Sequence, residues 1–201
     1  DGVNAPSVCT FTVTVNPTPV DLAYGATSIC QDASPVLPTI ATPPGGVFSD
    51  ANQAGTIDPA TGAFDPSLAN PGLHTLGYVF AGACTGHDWF TINVVATPDA
   101  GTNGTMDICA SDTPRSLFTA LGGTPQPGGS WSGPSAVVNN LYDPAMMSSG
   151  EYTYIVSGSS TCANASATVT VNETTMPTAY FSYAGPYCTN TGPQLPTFSG
   201  T

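Results

Sequence analysis

Phe11, Val13 and Val15 alternate with Thr10, Thr12 and Thr14, a two-residue period that predicts a β-strand over residues 9–15 with one buried face. The same signature returns at Phe90-Thr91-Ile92-Asn93-Val94 and at Ala167-Thr168-Val169-Thr170-Val171, each time ahead of a polar linker that contains proline. Before the second and third of these lie Leu76, Tyr78, Phe80 and Tyr152, Tyr154, Val156, again every other residue, which predict a central strand ahead of each closing strand. Apolar positions nowhere recur at spacings of three and four over ten residues, so no helix is expected. Short strands set between Pro- and Gly-rich turns predict antiparallel β-sandwiches.

The strands belong to a repeat. Gly45-Gly46-Val47-Phe48-Ser49 is matched by Gly128-Gly129-Ser130-Trp131-Ser132, and Phe64-Asp65-Pro66 by Tyr142-Asp143-Pro144. From Asp65 to Asp143, from Gly72 to Gly150 and from Cys84 to Cys162 the step is 78 residues each time. The chain of 201 residues therefore divides into four pieces. Residues 1–19 are the last strand of an incomplete repeat plus a linker, 20–97 and 98–176 are full repeats, and 177–201 begin a further one. The two end pieces lack the Gly-Gly turn and the central strand, so more chain, or another chain, is expected to complete them. In this setting Gly-Gly introduces a strand; no helix or lysine follows to make it a phosphate loop. Asp65 and Asp143, each before a proline, are expected to form turns or caps, and Phe48 and Trp131 to fill the core.

Six cysteines add covalent restraint to repeats of a size that buries only about 60% of its unfolded surface. Two pairings fit the spacing. Within-repeat bonds, Cys30 with Cys84 and Cys109 with Cys162, each close a long loop and stabilise by about 4 kcal/mol in the chain-entropy model, and this pairing is favoured; Cys9 and Cys188 then take partners outside the chain. The alternative joins neighbouring cysteines across each linker, and spacing does not choose between them. No CxxC or HxxxH zinc spacing occurs, and disulfide use points to an oxidising, extracellular compartment.

Charge narrows the partners. There is no lysine, one arginine (Arg115) and 13 carboxylates, for a net charge of −12, which excludes nucleic acid as a partner. No apolar run reaches the roughly 20 residues of a membrane span, so no membrane insertion is expected, and with no signal-peptide pattern Asp1 is expected to follow a processed or omitted segment.

The order Cys, Gly-Gly-x-Phe/Trp-Ser, Phe/Tyr-Asp-Pro, Gly-x-Tyr-x-Tyr-x-Val, Cys, Thr-x-Thr-Val-Asn and a proline linker resembles the Ig-like and PKD-like repeats of very large Bacteroidota surface proteins, among them gliding-motility adhesins and proteins of the type IX secretion system. The resemblance spans nearly the whole chain, and the first repeat departs from it by carrying His74 where the second has Tyr152. It implies all-β, tandem Ig-like sandwiches strung as beads, at the cell surface, serving as a stalk, filament or adhesive array whose partners are other copies of itself or further repeats of the same chain. The segment 9–15 allows a sharper form, in which it adds as a strand to a sandwich of a neighbouring subunit.

Candidate chemistry is sparse. His74 and His87 are the only histidines, and neither stands in a nucleophile motif, so no catalytic role is assigned. His74 reads as a substituted core tyrosine, and His87-Asp88 as a hairpin loop with little to offer a metal. Trp89, facing outward beside Thr91 and Asn93, is the candidate contact for a glycan or another subunit, and a carbohydrate-binding module is the alternative function. Calcium is the one cofactor the carboxylates allow, where Asp99, Asp107 and Asp112 could gather near a linker, although no DxDxDG loop exists. Asn103, Asn164 and Asn172 open glycosylation sequons.

Overall fold

A computed structural model describes residues 8–12, 19–82 and 84–200. Contacts divide the chain into two units, residues 1–97 with 159–162, and residues 98–158 with 163–201.

In the first unit the strands are β1 (Asp21–Tyr24), β2 (Ser28–Cys30), β3 (Pro38–Thr42), β4 (Val47–Asp50), β5 (Gly72–Ala81) and β6 (Thr85–Val95). They form a four-stranded sheet, β2-β6-β5-β4, and a two-stranded sheet, β1-β3, extended by isolated bridges of Phe64 to Val36 and Ile57. Leu22 and Tyr24 of the small sheet meet Phe48, Leu76, Tyr78, Ile92 and Val94 of the large one in a single core. The second unit repeats the plan with β7 (Gly104–Cys109), β8 (Arg115–Ser116), β9 (Ser130–Ser132), β10 (Leu141–Tyr142), β11 (Gly150–Val156) and β12 (Ala165–Thr174), ordered β7-β12-β11-β9 and β8-β10. Each repeat is an Ig-like β-sandwich, and the regular alternation of the central and closing strands is what places their apolar residues between the sheets.

One pairing in each repeat is parallel. In the first unit β2, the strand after β1, runs parallel alongside the closing strand β6, and in the second unit the first strand β7 runs parallel alongside β12. An early and a last strand that point the same way carry the chain from one end of the sandwich to the other, which two-residue hairpins alone would not do.

The Gly-Gly turn has a specific cause. Gly45 and Gly128 both sit at φ +94°, where side chains are disfavoured. The second glycine of each pair lies under a tyrosine: Gly46 N–H donates to the Tyr78 hydroxyl at 2.8 Å, and Gly129 N–H to that of Tyr154 at 2.7 Å. Each hydroxyl in turn donates to the carbonyl of a residue before the turn, Pro43 or Gln126. A Cβ on Gly46 or Gly129 would stand 2.5–2.6 Å from the tyrosine ring and a strand carbonyl. The tyrosine that seals the turn is six residues after Gly72 in the first repeat but four after Gly150 in the second. The first repeat is thus longer by one pleat, and Leu76 is its extra inward residue.

Phe48 packs on Tyr78 with centroids 4.6 Å apart, and Trp131 on Tyr154 at 5.0 Å. Phe48 is buried; Trp131 is half-buried, because its indole N–H reaches out to Asn140 Oδ1 at 2.9 Å. Asp65 caps the 3-10 turn Pro66–Leu68 by accepting from Ser67 N–H, and Asp143 accepts from Ala145 N–H in the same way. At Asp58 the backbone N–H groups of Thr61 and Ala60 hold the carboxyl below the usual carboxylate range.

The end pieces differ from the full repeats. Residues 9–12, the described part of the strand expected over 9–15, are exposed and lie in no strand; 13–15 lie outside the described residues. Residues 177–200 form a hairpin of β13 (Ala179–Ser182) and β14 (Thr197–Gly200) whose Tyr180, Phe181 and Phe198 are exposed.

Two phenols are tied into the cores. Tyr24 donates to Gly62 O at 2.7 Å, and Tyr142 to Glu173 Oε2 at 2.7 Å. Burial raises the pKa of both above the ordinary tyrosine range, and for Tyr142 the bond to Glu173 and that carboxylate's charge add to the effect. A folded-state pKa raised in this way stabilises fully below the unfolded value of about 10 and loses its contribution as pH climbs beyond it. Tyr24 and Tyr142 are therefore expected to ionise only with alkaline unfolding, so tyrosinate absorbance should show a step that coincides with loss of the fold; a rise completed ahead of unfolding would contradict their burial.

Candidate functional site

The cysteines do not pair within repeats. Cys30 ends β2 opposite Val95, the last residue of β6, whereas Cys84 adjoins Thr85, the first. At about 3.3 Å per residue that strand holds them roughly 33 Å apart, far beyond the roughly 7 Å limit for a disulfide. Cys109 and Cys162 are separated in the same way by β12, with Cys109 opposite Thr174 and Cys162 just before Ala165. Cys30 is bonded instead to Cys162, with a Cα–Cα distance of 5.1 Å and a sequence separation of 132. Residues 159–162 accordingly group with the first unit. This corrects both the within-repeat pairing and the pairing across linkers, since each repeat carries its two cysteines at opposite ends. Cys9, Cys84, Cys109 and Cys188 are free and exposed.

Trp89 occupies the outer face of the large sheet in the first unit. Adjacent residues of β6 face opposite sides, so Ile92 and Val94 enter the core while Trp89, Thr91 and His87 face out. Trp89 pairs across the hairpin with Gly77 and is 48% exposed. Its indole lies over that glycine, where a Cβ would approach Cζ3 to 2.3 Å. The imidazole of His87 meets the indole edge-on at 6.2 Å, and Val79 and Val47 continue the apolar row across β5 and β4. Asn93 lies at the far end of the same face, paired with the exposed Leu73. The corresponding strands of the second unit present Glu151, Thr153, Thr168 and Thr170 outward, so an aromatic platform belongs to the first repeat. Sequence alternation located Trp89; Gly77 beneath it was not singled out, because only the strand register sets the two opposite each other.

His74 stands where the second repeat has Tyr152, and it makes the same bond. Its Nε2 is 2.8 Å from Asn70 O, four residues back, as the Tyr152 hydroxyl is 2.6 Å from Ser148 O. The shorter ring leaves space that Asp50 fills: Asp50 Oδ2 lies 2.6 Å from His74 Nδ1 and accepts from Thr56 Oγ1 at 2.7 Å, and Oδ1 accepts from Asn52 N–H at 2.9 Å. Both ring nitrogens thus face acceptors, and the contact of ring and carboxylate is buried. At the same distance past the Gly-Gly turn the second repeat has Gly133, where a Cβ would stand 2.4 Å from the Tyr152 ring. The two positions covary, His with Asp and Tyr with Gly, a correlation that spacing alone does not reveal. Asp50→Ala leaves the buried His74 Nδ1 without its partner and is expected to cost the first unit about 2 kcal/mol. Calorimetry would resolve that as a lowered melting transition for that unit alone, and an unchanged transition would refute the role of the contact.

The remaining candidates are dispersed. Asp88 accepts from Leu22 N–H at 2.8 Å on the opposite side of the strand from His87. Asp99 accepts from Gly101 N–H and Thr124 Oγ1, Asp107 Oδ1 from Asn172 Nδ2, and Asp112 Oδ2 from Cys109 N–H. The three are not gathered, and the described residues include no group of three or more potential metal ligands. Asn103, Asn164 and Asn172 are exposed. Asn103 and Asn164 use their carbonyl oxygens, accepting from Thr168 and Gly158, which leaves the amide nitrogens free; Asn172 commits its nitrogen to Asp107. No helix among the described residues is long and apolar enough to cross a membrane.

No protein-family model matches the chain, and no curated protein does. Among solved structures it is similar to mouse cadherin-23 EC22-24, at 12% identity over 80% of this chain and 67% of that one, with a TM-score of 0.28. It is also similar to human protocadherin-24 EC1-2, at 11% identity over 75% and 97% of the two chains, again with a TM-score of 0.28.

Proposed function

We propose that the chain is part of an extracellular structural or adhesive array, a cell-surface stalk or filament of Ig-like repeats of the kind its motifs resemble in Bacteroidota. The observation that carries this reading is the bond from Cys30 of the first repeat to Cys162 in the second. A tie that skips the repeat's own second cysteine suits a succession of like repeats, and it suits an oxidising compartment. The parallel pairing of an early strand with the closing strand supports the same reading, since it passes the chain from one end of each sandwich to the other. In the sharper form, residues 9–15 of one subunit pair into a sandwich of the next. Electron microscopy of the native particle tests the proposal. Filaments with an axial repeat of one or two sandwich lengths support it, density continuous through each sandwich from a single chain removes the strand-exchange form, and compact monomers refute the array.

The platform at Trp89 favours one second reading, a carbohydrate-binding module. An exposed indole over glycine offers aromatic surface to a sugar ring. Under this reading glycan-array signal disappears in Trp89→Ala while the melting temperature moves little; binding that persists in the variant would exclude the platform.

A further inference from the structure

A groove lies beside the Asp-Pro turn of each repeat. Pro35, Asp65 and Leu68 line it in the first unit, and Pro114, Asp143 and Met146 in the second. These are equivalent positions, since Pro35 and Pro114 each follow their opening cysteine by five residues, and Leu68 and Met146 each follow their aspartate by three. The first groove holds 300 Å³ and has Thr56 and Asp58 among its walls. The second holds 460 Å³, and Val138, Leu141 and Met147 make its added walls apolar. Mostly apolar walls around a space of that size, with few polar groups, are the form of a small-molecule site.

The second groove is held in shape from two sides. Asn139 and Asn140, at φ 53° and 61°, form a two-residue turn that Leu141 N–H closes on Val138 O at 3.0 Å, a conformation asparagine accepts more readily than most residues. The turn sets Val138 beside Leu141, both exposed. Asn140 is tied down by Trp131 Nε1–H on its side chain and by Leu117 N–H on its carbonyl. At the aspartate, Asp143 O accepts from Met146 and Met147 N–H, and Asp143 N–H donates to Met147 Sδ at 3.3 Å. The carboxylate itself is less occupied than in the first repeat. Asp65 Oδ1 accepts from Ser67 N–H at 3.0 Å and from Ser67 Oγ at 2.7 Å. Ala145 replaces that serine, and among the described residues Asp143 Oδ1 accepts from Ala145 N–H alone, which leaves Oδ2 open. Asp143 is the one charged residue lining the groove; Arg115, next to Pro114, turns Nη1 to Asp107 O at 3.1 Å.

We propose that the groove of the second repeat binds a small primary amine with an apolar body, an arylalkyl- or alkylammonium ion. Its cation bonds Asp143 Oδ2, and its body lies against Val138, Leu141 and Met146. Aliphatic and thioether walls suit an aromatic or aliphatic body, and a carboxylate with an open oxygen selects a charged donor. An anionic amphiphile of the same shape is excluded, because its charge would meet that carboxylate and the chain has no lysine to offset it. The smaller groove of the first repeat, with the Ser67 hydroxyl already on its aspartate, does not offer the same site. The inference needs neither the array reading nor the Trp89 platform.

The test titrates the whole chain, with isotopically labelled methionine methyls, against phenethylammonium, phenethyl alcohol and ethylammonium, followed by NMR. Phenethylammonium is expected to shift the Met146 and Met147 methyls saturably, while Met106 and Met176, which do not line the groove, stay in place. It is expected to bind about tenfold more tightly than the alcohol, which has the body without the charge, and ethylammonium, the charge without the body, is expected to move nothing. Asp143→Asn keeps an acceptor for Ala145 N–H, so it should lower the affinity for phenethylammonium to that for the alcohol and leave the alcohol unaffected. Ala145→Ser, which supplies the hydroxyl donor of the first repeat, should weaken binding of the cation alone. Equal affinity of cation and alcohol for the parent would overturn the proposal, as would unchanged affinity in Asp143→Asn. So would shifts that never saturate or that ethylammonium reproduces, since a net charge of −12 attracts any cation without a groove. If Asp143→Asn disturbs the fold, Ala145→Ser decides, and binding equal to the parent's overturns the site.

Discussion

Gly129→Ala is expected to lower the melting temperature of the second unit by about 15 °C and leave the first unit unchanged. The new methyl would stand 2.5 Å from Ile155 O and 2.6 Å from the Tyr154 ring. Neither can retreat cheaply, because the carbonyl belongs to β11 and the ring is 1% exposed between Trp131 and Phe118. Pushing the ring away also breaks the hydrogen bond from Gly129 N–H. Overpacking with a lost buried bond costs about 3 kcal/mol, and in a repeat of this size each kcal/mol is worth about 4–8 °C. Gly128→Ala supplies the control. Nothing lies within 4 Å of its Cβ, so only the φ of +94° resists the substitution, at about 1–2 kcal/mol. Gly46→Ala and Gly45→Ala should rank in the same order in the first unit. If the first glycine of each pair proves the more sensitive, the tyrosine seal is not what these turns require.

The second large effect is expected from removing the disulfide. Replacing Cys30 and Cys162 together by serine frees a loop closed over 132 residues, and the chain-entropy model gives about 5 kcal/mol for a loop of that length. Both side chains are buried and make few polar contacts, so little native-state gain offsets the loss. Urea unfolding followed by tryptophan fluorescence would report on both units, through Trp89 and Trp131. Equal stability of the oxidised parent and the double variant would show that the bond does not form in solution, as would a peptide joining Cys30 to Cys84.

The sequence carries the strands more plainly than their ends. Alternation at Leu76, Tyr78, Ile92 and Val94 reads directly as an inward face, because the period of a strand is a local property. The Asp-Pro turns are equally local. What was hidden depends on pairing between distant segments. Loop closure favoured Cys30 with Cys84, yet it is the register of β2 on β6 that sets these two cysteines at opposite ends, and loop length contains no information on register. The covariation of His74 with Asp50 was likewise invisible, since 24 residues separate a ring from the carboxylate that fills the space beside it. At the candidate surface, Trp89 was found from its phase in the strand, but its position over Gly77 required knowing which residue of β5 lies opposite.

The Cys30–Cys162 bond changes how the chain answers a pull on its ends. Tension entering before residue 30 crosses directly to residue 162 and never reaches the 131 residues between them. Those residues include β3 to β11, and unfolding any of them adds nothing to the end-to-end length while the bond is intact. At roughly 3.3–3.6 Å per residue, the sulfur link withholds about 450 Å of slack. The oxidised chain is therefore nearly inextensible past its terminal segments, and a reductant would turn the same repeats into a spring.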